Sequence, residues 1–524
     1  MPAPGRRREL EQAPDPNGGH RSRSHEHRSR LARAGYSGVR WIGIGRVAGQ
    51  LAGFGASIVL ARLIPPAAFG HFAVVSVLFM LAGETIGSGV TAALVQRRDA
   101  TRAHLESGMA LSLAFGLITG TAIYLGAPLS EPLFGEEIVD LAQLGSLYFP
   151  LVAVAATPAA TLQRRLSFAR IAAIEVGGVL AGLTISIALA AGGLDAEALV
   201  LGAVAGQALT TAALLVTAPP PRPRRNPPEM AELLRFGAPN AAAAAASVGA
   251  RNVDYAVLAA RAPAASVGFY WRGYQLGVEI PRRFGSSILG QLALPLYARA
   301  DDAAHRLQMR ARMVQLHTLL MVPPLILLIV LAPVLVPGLF GERWQPAVTP
   351  TQLLAGVGII STALAGMGPL LSAIGRPRAL LHWNVGNVVV VGAAVFLAAP
   401  HGLTAVCLAV LGVRIVRYFA AYVFLLNRLA GVRIAEAWRD PGPALVAGGA
   451  MAAGLIALQA LVLAGLPPAV EVALVATVAA PLYLGALRLL FPASLVDLRS
   501  GVRRVLGSER DRTSAEPRSK GLTP

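Results

Sequence analysis

Apolar stretches of about 20 residues recur along this chain from residue 39 to residue 490, and about 20 apolar residues are what a helix needs to cross a bilayer. In hydrocarbon the backbone has to satisfy its own hydrogen bonds, so a span is either a helix or a strand of a closed barrel. Barrel strands alternate in polarity, whereas these stretches run apolar. The expected fold is therefore an all-α integral membrane protein with about 14 transmembrane helices. The spans are placed at 39–60, 69–94, 105–126, 138–158, 171–191, 197–217, 236–259, 266–298, 313–336, 347–374, 380–399, 402–427, 443–465 and 468–490. Only 14% of the residues are charged, against about 25% in soluble proteins. That excludes a soluble multidomain enzyme, a disordered chain and a disulfide-rich module.

The net charge of +18, from 46 basic and 28 acidic side chains, would suggest a nucleic-acid binder in a soluble protein. Its distribution points elsewhere. With the N-terminal tail in the cytoplasm and the segments alternating, 36 of the 46 basic residues fall on the cytoplasmic side, counting Arg40 and Arg488 to the tails. Three (Arg62, Arg261 and Arg343) fall outside, and seven lie within spans. By the positive-inside rule both termini are cytoplasmic and no nucleic-acid partner is expected. Residues 1–38 read as a disordered basic cytoplasmic tail, with no apolar run that would make a cleavable signal peptide. Residues 491–524 read as a second basic cytoplasmic tail. Both tails are expected to meet solvent and anionic membrane lipids.

Absences narrow the chemistry. The sole lysine is Lys520, so a phosphate-binding Walker loop and a Schiff base are excluded from the body of the chain. The sole cysteine, Cys407, sits in an apolar run and reads as a packing residue. No nucleophile–base set and no metal-ligand spacing stands out, so no catalytic residue, metal or cofactor is expected, and the chain is not read as an enzyme. The longest outer loop runs from about 127 to 137, which argues against a glycan polymerase or ligase.

An internal duplication is legible. Ala61-Arg62 followed by Pro65, Ala67, Gly70 and Phe72 recurs as Ala260-Arg261 followed by Pro263, Ala265, Gly268 and Tyr270, a step of 199 residues from Ala61. Leu133-Phe134-Gly135-Glu136 recurs as Leu339-Phe340-Gly341-Glu342, a step of 206. Each step equals six spans, and an even number preserves direction. The expected organisation is two parallel-repeat six-helix lobes, 39–217 and 236–427, around a central cavity. A Pro/Arg cytoplasmic linker, 218–235, joins them, and two extra C-terminal helices occupy 428–490.

The duplicated segments also carry a resemblance. Leu60-Ala-Arg-Leu-Ile-Pro-Pro-Ala-Ala-Phe-Gly70 and Ala93-Leu-Val-Gln-Arg-Arg-Asp99 resemble signatures of the Wzx-type polysaccharide exporters. Asn252-Val-Asp254, Gly268-Phe-Tyr-Trp-Arg-Gly-Tyr-Gln275, Pro295-Leu-Tyr297, Leu339-Phe-Gly-Glu-Arg-Trp344 and Gly375-Arg-Pro377 resemble their lipopolysaccharide and colanic-acid branch. The resemblance covers about residues 39–430. It implies a place among the exporters that include multidrug antiporters and peptidoglycan-precursor flippases. It also implies a polyprenyl-diphosphate-linked glycan as substrate, a bacterial cytoplasmic membrane location, coupling to a proton or sodium gradient, and glycan polymerase and glycosyltransferases as pathway partners.

Charges inside a bilayer cost at least about 2.5–3.5 kcal/mol each on insertion scales, so those present should face a watery cavity. More than three residues in from the span ends lie seven arginines and four acids (Glu84, Glu175, Asp254 and Glu279), a surplus of three positive charges suited to an anion. Arginine's planar fork matches a diphosphate. In span eight, Arg272, Gln275, Glu279 and Arg283 step by three and four and should share one helix face, flanked by Tyr270 and Tyr274, with Arg282 beside them. The functional reading is a cavity wall that grips phosphate and sugar. The alternative is a structural ion network, Arg272 or Arg283 to Glu279. In span seven, Arg251 reads as a substrate contact and Asp254 as a proton or sodium site, unless the two simply pair. Glu84, among the three glycines of 83–89, and Glu279 are further coupling candidates. Arg414, Arg417 and Arg46 are secondary candidates, and snorkelling to headgroups is the favoured reading of all three.

The expected function is a flippase that moves an undecaprenyl-diphosphate-linked oligosaccharide (an O-antigen, capsule or exopolysaccharide repeat unit) by alternating access. The alternatives are a multidrug or small-molecule antiporter, a peptidoglycan-precursor flippase and, from another class, a membrane glycan polymerase or ligase.

Overall fold

The structure, a computed structural model, describes residues 49, 51–97, 99–286, 293–294, 296–300, 302–463, 467–496 and 498. Arg46, the tail 1–38 and the residues beyond 500 lie outside that set. Fourteen helical rods can be followed among the described residues. They are α1 (Leu51–Leu63), α2 (Pro66–Gln96), α3 (Arg102–Phe134), α4 (Glu136–Arg164), α5 (Phe168–Ala191) and α6 (Ala196–Thr217), then α7 (Pro227–Ala259) and α8 (264–286). After these come α9 (Ala303–Phe340), α10 (Glu342–Ala373), α11 (Arg378–His401), α12 (Leu403–Ala430), α13 (Gly442–Leu461) and α14 (Pro468–Leu490).

Eleven of them are long and apolar enough to cross a membrane, not the fourteen that the sequence suggests. The three others have physical reasons for falling short. Only 13 residues of α1 fall in its described apolar stretch. Helix α7 sets Asn240, Arg251, Asn252 and Asp254 among alanines, and α8 carries Arg272, Glu279, Arg282 and Arg283. The expected function spends its polar residues on these two helices.

Local chemistry sets the ends. Pro66, Pro227 and Pro468 open their helices at positions where the missing N–H costs nothing. Asp302 caps α9 by accepting from the His305 backbone N–H at 2.6 Å. After Glu84, residues 87–91, with Gly87 and Gly89, form a π turn in α2. Two more, at 275–279 and 282–286, interrupt α8.

The packing order repeats at an interval of six helices. In the first half α3 packs on α4, α4 on α6 and α5 on α6; in the second α9 packs on α10, α10 on α12 and α11 on α12. The halves meet where α2 packs on α7 and α8. At this seam Gly70 and Gly268 face each other's neighbouring backbone. A Cβ on Gly70 would stand 1.9 Å from the Ala264 carbonyl oxygen, and one on Gly268 would stand 2.0 Å from that of Pro66. Helices α13 and α14 pack on each other and on α9, sharing a core of Leu319, Val322, Met451 and Tyr483.

Candidate functional site

A cavity of about 850 Å³ opens between α1, α2, α4, α5 and α6 on one side and α8 and α9 on the other. Phe54, Phe72, Trp271, Leu325 and Leu328 make most of its wall apolar, and Gln207, Thr210, Gln275, Glu279 and Arg283 give it a polar strip. Glu279 and Arg283 are the charged residues among its described lining.

The strip is organised by one carboxylate. Glu279 Oε1 accepts from Arg282 Nη2 at 2.7 Å and from Arg283 Nε at 2.9 Å, while Oε2 accepts from Arg282 Nε at 3.0 Å. Spacings of three and four bring both guanidinium groups to the same acid. Glu279 is 18% exposed, and Arg282 and Arg283 are 42% and 46% exposed. Two cations share one anion, and both reach open space, so the cluster keeps a positive surplus. It is an arrangement that can accept a phosphate oxygen without first losing an ion pair.

The structure separates Arg272 from this strip. Its side chain is 1% exposed and does not line the cavity. The guanidinium carbon sits 4.4 Å from the Phe340 ring centre, 4.9 Å from Trp344, 5.0 Å from Phe69 and 5.3 Å from Trp271. Its Nε and Nη2 are buried without a hydrogen-bond partner among the described residues. A desolvated cation–π contact is worth about 2 kcal/mol, while removing a cation from water costs several. The aromatic box therefore offsets part of the penalty rather than all of it.

Tyr270 and Tyr274 lie against α7 rather than on the cavity wall. The Tyr270 hydroxyl donates to Asp254 Oδ2 at 2.7 Å, and Asp254 Oδ1 accepts from the Tyr255 backbone N–H at 3.1 Å. The rings of Tyr255, Tyr270 and Tyr274 are mutual neighbours at 5.5–6.2 Å between centres. Asp254 is 5% exposed and does not pair with Arg251. Arg251 instead reaches across the seam to Glu84, with Nη2 2.5 Å from Oε1, and its Nη1 donates to Ser247 Oγ at 2.7 Å. Arg414 stands near enough to Asp254 for its charge to act there. Arg417 is taken up by Trp383, 4.1 Å from the ring centre and 3.1 Å from the backbone oxygen it donates to.

Sequence reasoning missed the residues that hold one end of the seam. Arg62 donates to the carbonyls of Leu339 at 2.9 Å and Gly338 at 2.6 Å. Arg343 returns a bond to the Arg62 carbonyl, and Trp344 Nε1 donates to the Ala61 carbonyl at 2.9 Å. Both partner segments had been visible as motifs, Leu60–Gly70 and Leu339–Trp344, but nothing in the sequence says that they touch. Gln207 and Thr210 were missed as well. They face the cavity because α5 and α6 pack glycine to glycine, with Gly182 against Gly202 and Gly206.

The chain is similar to known proteins in both sequence and fold. Residues 59–349 match the family model described as "Polysaccharide biosynthesis protein". The lipopolysaccharide biosynthesis protein WzxC of Escherichia coli (strain K12) is 26% identical over 404 residues, which span 75% of this chain and 81% of that protein. The teichuronic acid biosynthesis protein TuaB of Bacillus subtilis (strain 168) is 27% identical over 357 residues, 65% of this chain and 72% of TuaB. Among solved structures, the lipid II flippase MurJ in an inward closed conformation superposes with a TM-score of 0.65 at 14% identity, covering 89% of this chain and 99% of MurJ. An inward-facing multidrug resistance transporter of the MATE family superposes at 0.56 and 15% identity, covering 75% and 96%.

Proposed function

The chain belongs to the polysaccharide biosynthesis protein family, and on that premise we propose that it is a flippase for a polyprenyl-diphosphate-linked oligosaccharide of the bacterial cytoplasmic membrane. The observation that carries this reading is the Glu279–Arg282–Arg283 cluster at the edge of a largely apolar cavity shared by both halves of the chain. A diphosphate entering the cavity meets Arg283, already oriented by Glu279, while Arg282, which does not itself line the cavity, holds that carboxylate from its other side. Guanidinium forks bind phosphate oxygens two at a time, so the anion gains directed bonds as well as charge. Gln275, Gln207 and Thr210 supply donors and acceptors for sugar hydroxyls, and Trp271 and Phe72 supply flat apolar faces. The polyprenyl chain stays in the bilayer. Alternating access then turns on the seam between α2 and α7–α8, with Asp254 as the proton or sodium site that resets it.

The relatives support this through the pathways in their names, lipopolysaccharide and teichuronic acid biosynthesis. A drug antiporter of the same fold is the second reading. The cavity disfavours it for cationic drugs, because its acid is already covered by two arginines.

The test is complementation in the producing bacterium with the gene deleted. Wild-type protein should restore surface glycan, and Arg282→Ala with Arg283→Ala should be inserted normally yet leave lipid-linked repeat units on the cytoplasmic face. Full glycan output from that double variant would overturn the site. Unchanged lipid-linked pools in the deletion itself would overturn the function.

A further inference from the structure

A second pocket, of about 500 Å³, lies far from the cavity chemistry, where the ends of α2 and α4 meet the start of α3. Six residues line it: Val95, Arg97, Leu105, Thr161, Arg164 and Arg165. Half of them are arginines, and the loop charges assign this face to the cytoplasm. Arg164 is fixed in place, with Nη1 donating to the Leu94 carbonyl at 2.8 Å and to that of Arg97. Arg165 is exposed and makes no ion pair among the described residues. The next residue, Leu166, has φ of 54° and is 45% exposed. A leucine in the left-handed region is uncommon and mildly strained. Here the sharp turn ends α4 on two arginines and sets an apolar side chain beside them at the membrane border.

Arg97 is the shared element. Its Nη1 bonds Glu232, at the start of α7, and its Nε lies 3.4 Å from Asp99 Oδ1. His104 Nε2 also meets Glu232, at 3.1 Å. The same guanidinium thus faces the pocket and ties α7 to the first half of the chain.

We propose that this pocket binds the phosphate of a lipid headgroup, and that the phosphate competes with Glu232 for Arg97. Three guanidinium groups match an anionic phosphoryl group, while Val95, Leu105 and the neighbouring Leu166 match the acyl region beneath it. A phosphate seated there loosens the tie to α7, so the lipid around the protein biases the seam. The inference does not depend on what the central cavity carries. Two lipids have the required chemistry, a resident phospholipid such as phosphatidylglycerol and the polyprenyl diphosphate itself.

The purified full chain, freed of lipid, is titrated with phosphatidylglycerol, with phosphatidylcholine and with a short polyprenyl diphosphate, and bound lipid is counted by native mass spectrometry. Phosphatidylglycerol should be retained over phosphatidylcholine. Arg97→Gln and Arg165→Gln should each weaken retention about fivefold, the effect of one basic residue near an anionic surface. Glu232→Gln should tighten it about two- to fivefold, because an exposed ion pair that competed has gone. If only the polyprenyl diphosphate follows this pattern, the proposal stands with the substrate as the source. Equal retention of both anionic lipids by wild type and both arginine variants would overturn it. So would a Glu232→Gln variant that binds no more tightly than wild type, a readout that survives even if an arginine variant fails to fold.

Discussion

At the Arg62 end of the seam, every cross-half polar contact we find among the described residues lands on a backbone carbonyl: Arg62 on Leu339 and Gly338, Arg343 on Arg62, Trp344 on Ala61. At the Glu232 end, and between the two ends, the contacts join ionised side chains: Arg97 to Glu232 at the end and Arg251 to Glu84 part-way along. Carbonyl dipoles carry no titratable proton, and at this end they sit beside Trp344 and Phe340, both fully buried. The ion pairs are 30–45% exposed, where such pairs contribute little to stability and fade with salt. One end is held by packing and fixed dipoles, the other by contacts that ions and solvent can replace. The second end should part first.

Several substitutions sharpen or break this contrast. The largest effect belongs to Gly70→Val or Gly268→Val. With a backbone oxygen 2 Å or less from the new Cβ, overpacking should cost about 3 kcal/mol or more, read as loss of folded protein from the membrane. Normal yield and thermal stability would mean that the seam is soft at this end too. Trp344→Phe comes next. It leaves the buried Ala61 carbonyl unpaired at a cost of about 1–3 kcal/mol. It should also raise labelling of a Ser57→Cys variant in the cavity by an impermeant thiol reagent from outside. Arg272→Met should leave thermal stability within about 1 kcal/mol of wild type or raise it, since a buried cation with no acid partner among the described residues is replaced by an apolar chain. A drop above about 3 kcal/mol would reveal a paired charge there, as is usual when one partner of a buried pair is removed. Part-way along the seam, Glu84→Gln should cost under about 1 kcal/mol, and high salt should erase the difference.

The smallest effect is acidification. The hydrogen bond from His104, with Arg97 adding to it, holds the Glu232 carboxyl below the usual glutamate range. Its contribution is therefore complete above that range and is lost only as pH falls through the depressed value. Unfolding midpoints of wild type and Glu232→Gln should differ at pH 8 and pH 6 and converge only in strong acid. Convergence already at pH 6 would show that Glu232 is not held low.

These contrasts also mark what the residues alone could tell. Eleven bilayer crossings were legible because span length is set by the membrane, whereas α7 and α8 form helices whose charged and polar residues keep them out of that set. The side-chain face of α8 was not legible. A spacing of three and four residues assumes an unbroken α-helix, and the π turn at 275–279 shifts the phase between Arg272 and Arg283. Arg272 consequently points into an aromatic box while Glu279 and Arg283 line the cavity. Pairing was illegible for a different reason. Spacing within α7 allows Arg251 to meet Asp254, but Asp254 is claimed by Tyr270 and Arg251 by Glu84, both from other helices.

The contact of Gly70 with Ala264 and of Gly268 with Pro66 bears on how such a molecule can move at all. Side chains between two helices act as springs, because rotamers can absorb a small slide. Here bare peptide meets bare peptide at two related points, and there is nothing to compress. The pair is either seated or parted, so motion about it should come in whole steps, as in a detent, rather than as a continuous drift.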